Sequence, residues 1–253
     1  MKYLPIEMKK IFKSIESKIS YVFVFVIVLS IMLGFKFQSK QHISSIDMVF
    51  ITLGNFSRYI MLHLVMILMT SLIVAGEFNQ GTYRYIMLRP VSIKNLIFNK
   101  YIALWLFAGM ILLITAALSF FVGIILFEHG QLHGEGFTIL SRPIIRFIIF
   151  YVGTWINAVF IISFTTFFSV ILKHNINTIV ITFSVLFIIL FFTRFVSDEV
   201  LDWTPINYFT LKPYIFTEII KWRDIFFGIF VTLVYSGIFT GLSYVKLKME
   251  DIL

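Results

Sequence analysis

Two polar stretches carry side chains whose spacing could support chemistry. In GEFNQGTYRYIMLRP, residues 76–90, Gly76 and Gly81 stand as the glycines of a phosphate-cradling loop do in G-x-x-x-x-G-K-[ST]. Position 82 is threonine, so the lysine that would meet the phosphates is missing. What precedes, MLHLVMILMTSLIVA, has the length and apolarity of a membrane helix and not of a strand, so the chain is not itself a P-loop ATPase. In EHGQLHGEG, residues 128–136, His129 and His133 lie four apart beside Glu128 and Glu135, a spacing that suits a metal on a helix. Gly130, Gly134 and Gly136 oppose a rigid helix there and no HExxH pattern occurs, so the stretch is expected to be a solvated loop. The absence of cysteine excludes disulfides, thiolate nucleophiles and thiolate metal sites, and no G-x-S-x-G nucleophile turn is present.

The elements around these stretches are membrane-like. Of 253 residues, 59% are hydrophobic and 13% charged, against roughly half and a quarter in soluble domains. So little polar surface cannot cover a globule in water, and the mean hydropathy of +0.96 points to a bilayer as solvent. The net charge of +8 sits in the loops, so it reads as membrane topology and not as a nucleic-acid surface.

About 20 apolar residues cross a bilayer as one helix, because each backbone polar group must find its partner within the segment. Six segments qualify, near 19–37, 56–76, 101–127, 144–172, 176–196 and 225–245, and make residues 1–253 one transmembrane domain. The fourth is long and contains Gly153, where a tilt or kink is expected. Six spans put both termini on one side. That side, with the 77–100 and 173–175 loops, collects 12 of the 21 Lys and Arg residues and 5 of the 13 acids. The positive-inside rule makes it cytoplasmic. No small-residue cleavage site follows the first apolar run, so a cleaved signal peptide is not expected.

Leu4, Met8, Ile11, Phe12, Ile15 and Ile19 repeat at three- and four-residue spacing, with Lys9, Lys10 and Lys13 mostly off the stripe. Residues 4–18 are therefore expected to form an amphipathic helix in the interface, its lysines near anionic headgroups. Between the fifth and sixth spans, 197–224 holds Trp203, Tyr208, Phe209, Tyr214, Phe216, Trp222, Pro205 and Pro213. Either short re-entrant helices or an aromatic surface loop would account for it. Arg58, His63, Arg146 and Arg194 fall near span ends, where long side chains can snorkel, and Thr115, Asn157, Thr165 and Thr166 are expected to hydrogen-bond within the bundle. No paired carboxylates sit at mid-membrane, which disfavours a proton relay or intramembrane protease. Gly237 and Gly241 in GIFTG are spaced for close helix packing within the subunit.

Back in the opening stretch, Glu77 stands where the second span leaves the membrane, and Asn79, Gln80 and Gly81 make a polar bend. TYRYIMLR, residues 82–89, has room for about two helical turns. Tyr83, Ile86 and Met87 would share one face of it, and Arg84 and Leu88 another. Pro90 ends it, Ser92 can cap the following helix, and Lys94 and Lys100 would lie near the headgroups.

Glu77, three residues, Gly81-Thr82, then Pro90-Val91-Ser92 and Lys100 resemble the first cytoplasmic loop of type-2 ABC exporter permeases. The amphipathic N-terminal helix, six spans and a pre-sixth-span segment containing TPINYF are similar to that family along the whole chain. The resemblance implies an all-α polytopic membrane subunit, with a short cytoplasmic coupling helix and an external re-entrant segment. Two copies would work with a separate cytoplasmic ABC ATPase that binds ATP and Mg, while this chain binds no cofactor or metal and is not an enzyme. The coupling residues implied are Glu77, Phe78, Gly81, Thr82, Tyr83, Arg84, Ile86, Met87 and Arg89, with Glu77 anchoring a polar relay, Gly81 allowing the bend, and Arg84 and Arg89 meeting acidic groups or lipid. The second and fifth spans would partly line a path between the subunits.

The fifth span, TIVITFSVLFIILFFTRF, and its neighbours have apolar and aromatic surface without fixed charge, which suits amphipathic peptides. Members of that family that export staphylococcal phenol-soluble modulins are similar in size. Export of hydrophobic antibiotics or lipid-linked substrates is the alternative within the class, and a non-transport scaffold or sensor the alternative outside it. The expected location is a bacterial plasma membrane with both termini cytoplasmic.

Overall fold

Among the described residues, six helices are long and apolar enough to cross a membrane: Ile15–Phe37, Met61–Asn79, Ile97–Leu126, Pro143–Leu172, Asn175–Phe192 and Trp222–Met249. They belong to a computed structural model that describes residues 4–38, 44–58, 61–81, 93–128, 130–131, 133, 141–193, 195–209 and 211–251. In chain order the elements are α1 (Leu4–Lys13), α2 (Ile15–Gln38), α3 (Ser45–Arg58), α4 (Met61–Asn79), α5 (Ile93–Leu126), α6 (Pro143–Leu172), α7 (Asn175–Phe192), α8 (Asp198–Leu201), a 3₁₀ turn at Pro205–Tyr208, α9 (Lys212–Ile215) and α10 (Trp222–Asp251). Among the described residues there is no β-strand; an isolated bridge joins Ser44 to Glu128.

The expected amphipathic helix over 4–18 is shorter. Ser14 interrupts it, and its Oγ accepts the Ser17 N–H at 3.1 Å, as a cap does at the start of a helix, so α2 begins at Ile15. Ile11 is buried while Ile15 and Ile19 are exposed, because the break rotates them off the stripe. The apolar face of α1 is covered by α5: Glu7 reaches Lys100, and the Phe12 ring meets Phe107 edge-on at 5.8 Å.

The second span starts at Met61 and not at 56, because Ser45–Arg58 is a separate helix that the apolar count did not resolve. Val49, Phe50, Leu53 and Phe56 lie three and four apart on α3 and are all buried. Phe50 meets Phe147, Phe150 and Phe216, which joins α3 to α6 and to the segment before α10.

α4 and α6 form the centre. Of the apolar window of α4, 72% is buried, against 17% for α7. α5 and α6 are clasped by Trp105 and Trp155, whose rings stack at 4.2 Å while each indole N–H donates to the other's carbonyl. α6 runs unbroken through Gly153, where the glycine serves packing and not a kink: a Cβ there would lie 2.1 Å from Leu211 Cδ1. Gly237 and Gly241 behave oppositely to the expectation of close packing, since a Cβ at either would meet nothing within 4 Å.

The polar residues of the helices also divide. Thr115 and Thr166 bond back to their own helix, to Ile111 and Ile162. Asn157 reaches outward, its amide donating to the Tyr208 carbonyl and its Oδ1 accepting the Thr232 hydroxyl. Arg146 does not snorkel: it is buried, and its guanidinium donates to the carbonyls of Ile215, Thr217 and Glu218. The Ile215 carbonyl ends α9 and those of Thr217 and Glu218 lie in the irregular backbone beyond it, so no helix satisfies them, and the arginine fork supplies several donors at once. His63 is likewise buried, its ring 4.1 Å from that of Phe209. The side chains of Arg58 and Arg194 lie outside the described residues.

The segment between α7 and α10 is part buried and part exposed. Tyr208, Phe209, Leu211, Ile215 and Phe216 are buried among the helices, while Trp203 and Trp222 are exposed. Burial first, then Tyr214 and the Asp202 and Asp224 carboxylates, pushes the Tyr208 phenol up to about 12. It stays protonated and donates to the Asp202 carbonyl at 3.1 Å.

Candidate functional site

α1, the end of α4, the start of α5, the turn between α6 and α7 and the last part of α10 gather at one end of the bundle, shown by Glu7 against Lys100, Lys94 over Tyr244, and Ser71 Oγ donating to the Asn175 carbonyl. The sequence-predicted residues that the structure describes are here.

Glu77 occupies the last turn of α4 and is 4% exposed. Its Oε1 accepts Lys100 Nζ of α5 and Lys10 Nζ of α1, each at 2.6 Å. Lys100, 5% exposed, also lies 3.5 Å from Glu7 Oε2. Two glutamates and two lysines from three helices thus balance in charge. Sequence reasoning located Glu77 but not this pairing. Lys100 does not face headgroups as expected, and Lys10 turns from its solvated side to the carboxylate. Glu7 carried no role at all. The available signal was a carboxylate at the end of one apolar helix and a lysine one turn or two inside the next, an unfavourable arrangement unless the two meet.

The helix ends just beyond. Gln80 donates its N–H to the Gly76 carbonyl and Gly81 to that of Phe78, with Gly81 at φ +68°. This left-handed residue past the helix terminus is where glycine is favoured, so the bend expected at Gly81 is present. Phe78 joins a small apolar cluster with Val74, Ile97, Val170 and Leu247, and the Lys173 ammonium lies 6.0 Å from its ring centre. Lys173 itself ends α6 in a left-handed conformation, φ 53°, which starts the tight turn into α7. A Cβ on Gly76 would be 3.5 Å from the Asn175 side chain, so this turn sits directly on the end of α4. Thr82, Tyr83, Arg84, Ile86, Met87 and Arg89, and with them the expected coupling helix, lie outside the described residues.

The histidine-rich loop is not simply solvated. Asp47, buried at the start of α3, accepts the His133 backbone N–H at 2.8 Å and lies 3.0 Å from its Nδ1. Asp47 also accepts the Ser44 N–H and hydroxyl. His129 lies outside the described residues. Among the described residues no three His, Cys, Asp or Glu side chains could hold a metal ion.

A family model described as "Protein of unknown function (DUF2705)" matches residues 19–253. An uncharacterized protein of Bacillus subtilis (strain 168), YhcI, is 25% identical over 213 residues, 79% of this chain. The match covers 66% of that relative, so the chain spans just under two thirds of its length. No solved structure matches.

Proposed function

The chain belongs to the DUF2705 family, to which no activity is attached, and from its own residues we propose that it is the membrane-spanning permease subunit of an ATP-driven ABC exporter. The observation that carries this reading is the buried Glu77–Lys100 pair, joined by the half-exposed Lys10 and set directly before the turn at Gly81 that leads into TYRYIMLRP. Ion pairs taken out of water stabilise little by themselves, but they hold a register firmly once formed. Here they tie α1, α4 and α5 into one block at the foot of the 82–92 segment. A push on that segment from a cytoplasmic ATPase would therefore move three helices together.

In this reading Glu77, Phe78 and Gly81 form the rigid base, and Thr82, Tyr83, Arg84, Ile86, Met87 and Arg89 the surface that meets the ATPase. The termini are cytoplasmic in a bacterial plasma membrane, α1 lies at the interface, and the buried segment before α10 is re-entrant from outside. The permease works as a homodimer, with α4 and α7 partly lining its path. The chain binds no cofactor; ATP and Mg belong to its partner. The long uncharged faces of α7 and α10 suit amphipathic peptides, including toxins, ahead of hydrophobic antibiotics or lipid-linked substrates.

Affinity purification of the chain from its native membrane tests this. An ATPase subunit should copurify, and its hydrolysis should respond to substitution at Gly81 without loss of the complex. If no ATPase copurifies under conditions that preserve the membrane complex, the permease reading gives way to a scaffold or sensor.

A further inference from the structure

A groove of about 590 Å³ opens on the side of the bundle between α5, α6 and α10. Lys94 stands at one end with its ammonium 5.5 Å from the Tyr244 ring centre, and Phe98, Tyr101, Trp105 and Thr240 line the rest. Phe98 is 57% exposed, so the opening faces sideways, away from the protein interior. From Lys94 to Trp105 the helix rises about 16 Å. That is the depth of one leaflet, since the hydrocarbon core is about 30 Å thick. About 590 Å³ along that length has room for a single extended chain. Among its described lining residues the one charge, Lys94, sits at one end, a pattern complementary to an amphiphile with an anionic head and an apolar tail.

We propose that this groove binds one acyl chain of an anionic membrane phospholipid, with the phosphate held at Lys94. The site rests on the membrane-embedded, termini-inside part of the reading above and is independent of ATPase coupling. Lys94 lies at the same end of the bundle as Lys100 and Lys173, the end that this reading turns to the cytoplasmic leaflet, where anionic lipids attract basic side chains. Tyr101 lines both this groove and a small cavity that reaches Glu77 and Lys100, so the lipid lies one side chain away from the ion-pair cluster.

Native mass spectrometry of the detergent-purified protein, with whatever copurifies, tests the site using equimolar phosphatidylglycerol and phosphatidylcholine as probes. The wild type should retain one phosphatidylglycerol per chain, favoured about fivefold over phosphatidylcholine, the factor expected from one lysine beside a net anionic headgroup, since the choline ammonium of the zwitterion repels Lys94. Lys94→Ala, an exposed change that leaves the fold intact, should abolish the preference while still admitting either lipid. Val159→Phe, which narrows the groove, should reduce retention of both. Unchanged preference in Lys94→Ala overturns the proposal, as does unchanged retention in a folded Val159→Phe. A change of oligomeric state in Val159→Phe without loss of lipid would make the groove a subunit contact and also overturn it. Alkaline extraction of membranes reads embedding separately: a chain that stays in the pellet yet shows no lipid preference refutes the site alone.

Discussion

The Glu77 cluster makes an asymmetric prediction. Glu77→Ala leaves Lys100 buried without its closest partner, and removing one member of a buried pair costs about 3–5 kcal/mol. Lys100→Ala strands Glu77 in the same way, although Lys10 remains. Lys10→Ala should cost far less, because its side chain is 51% exposed and exposed pairs contribute about 0.2–1 kcal/mol. For a chain of this size each kcal/mol moves Tm by about 2–4 °C, so Glu77→Ala should lower it by roughly 10 °C and Lys10→Ala by about 3 °C or less. The four tryptophans allow this to be followed by intrinsic fluorescence in detergent. The double change Glu77→Leu with Lys100→Met should recover most of the loss, since apolar replacement of a buried pair is often neutral or better. It leaves Glu7 and Lys10, three apart on α1, free to pair with each other. Equal losses for Lys10→Ala and Glu77→Ala, or a double variant no better than Glu77→Ala, would refute the cluster as the tie between α1, α4 and α5. Glu77→Ala thus tests stability first, and a transport experiment needs the double variant: normal fold with lost coupling is the result the permease reading requires.

The glycines give a second contrast. Gly153→Ala and Gly228→Ala would each place a Cβ within 2.3 Å of a ring or side-chain carbon, of Leu211 and Tyr208, so each should destabilise by about 1–3 kcal/mol; Gly237→Ala meets open space and should be neutral or stabilising by up to about 1 kcal/mol. Tm values of the three variants check the order. Arg146→Met removes the donors to three carbonyls before α10 and should raise protease cleavage and hydrogen exchange within 211–221, with little change at α4 or α5. A tag after Leu253 should stay inaccessible from outside intact cells, whereas one inserted at Gly134 should be reached; the reverse pattern inverts the orientation.

The expected re-entrant or surface form of 197–224 shows where sequence reasoning stops. Its aromatics and prolines mark it as unusual, but only contact decides which rings are buried. Tyr208 and Phe216 find room because Gly228 lacks a Cβ and Arg146 satisfies the backbone around Ile215. The same holds for α3. Its 14 residues are too few to cross a bilayer, so apolar length could not announce it, and its helical stripe becomes meaningful once Phe50 meets α6.

By itself the sequence determined that this chain has six apolar helices of spanning length suited to an apolar solvent, and roughly where those helices lie. Unpaired backbone in hydrocarbon costs so much that apolar length alone nearly dictates helix. It also marked Glu77 and the bend at Gly81, since a carboxylate at a helix end and a glycine beyond it are local signals. Only the tertiary structure decided what Glu77 holds. Lys100 and Lys10 lie 23 and 67 residues away, and no local period records which of 21 basic side chains will come within 2.6 Å of a given carboxylate. Packing of α1 and α4 along α5 brings them there, and desolvation makes the Glu77–Lys100 pairing obligatory once they arrive.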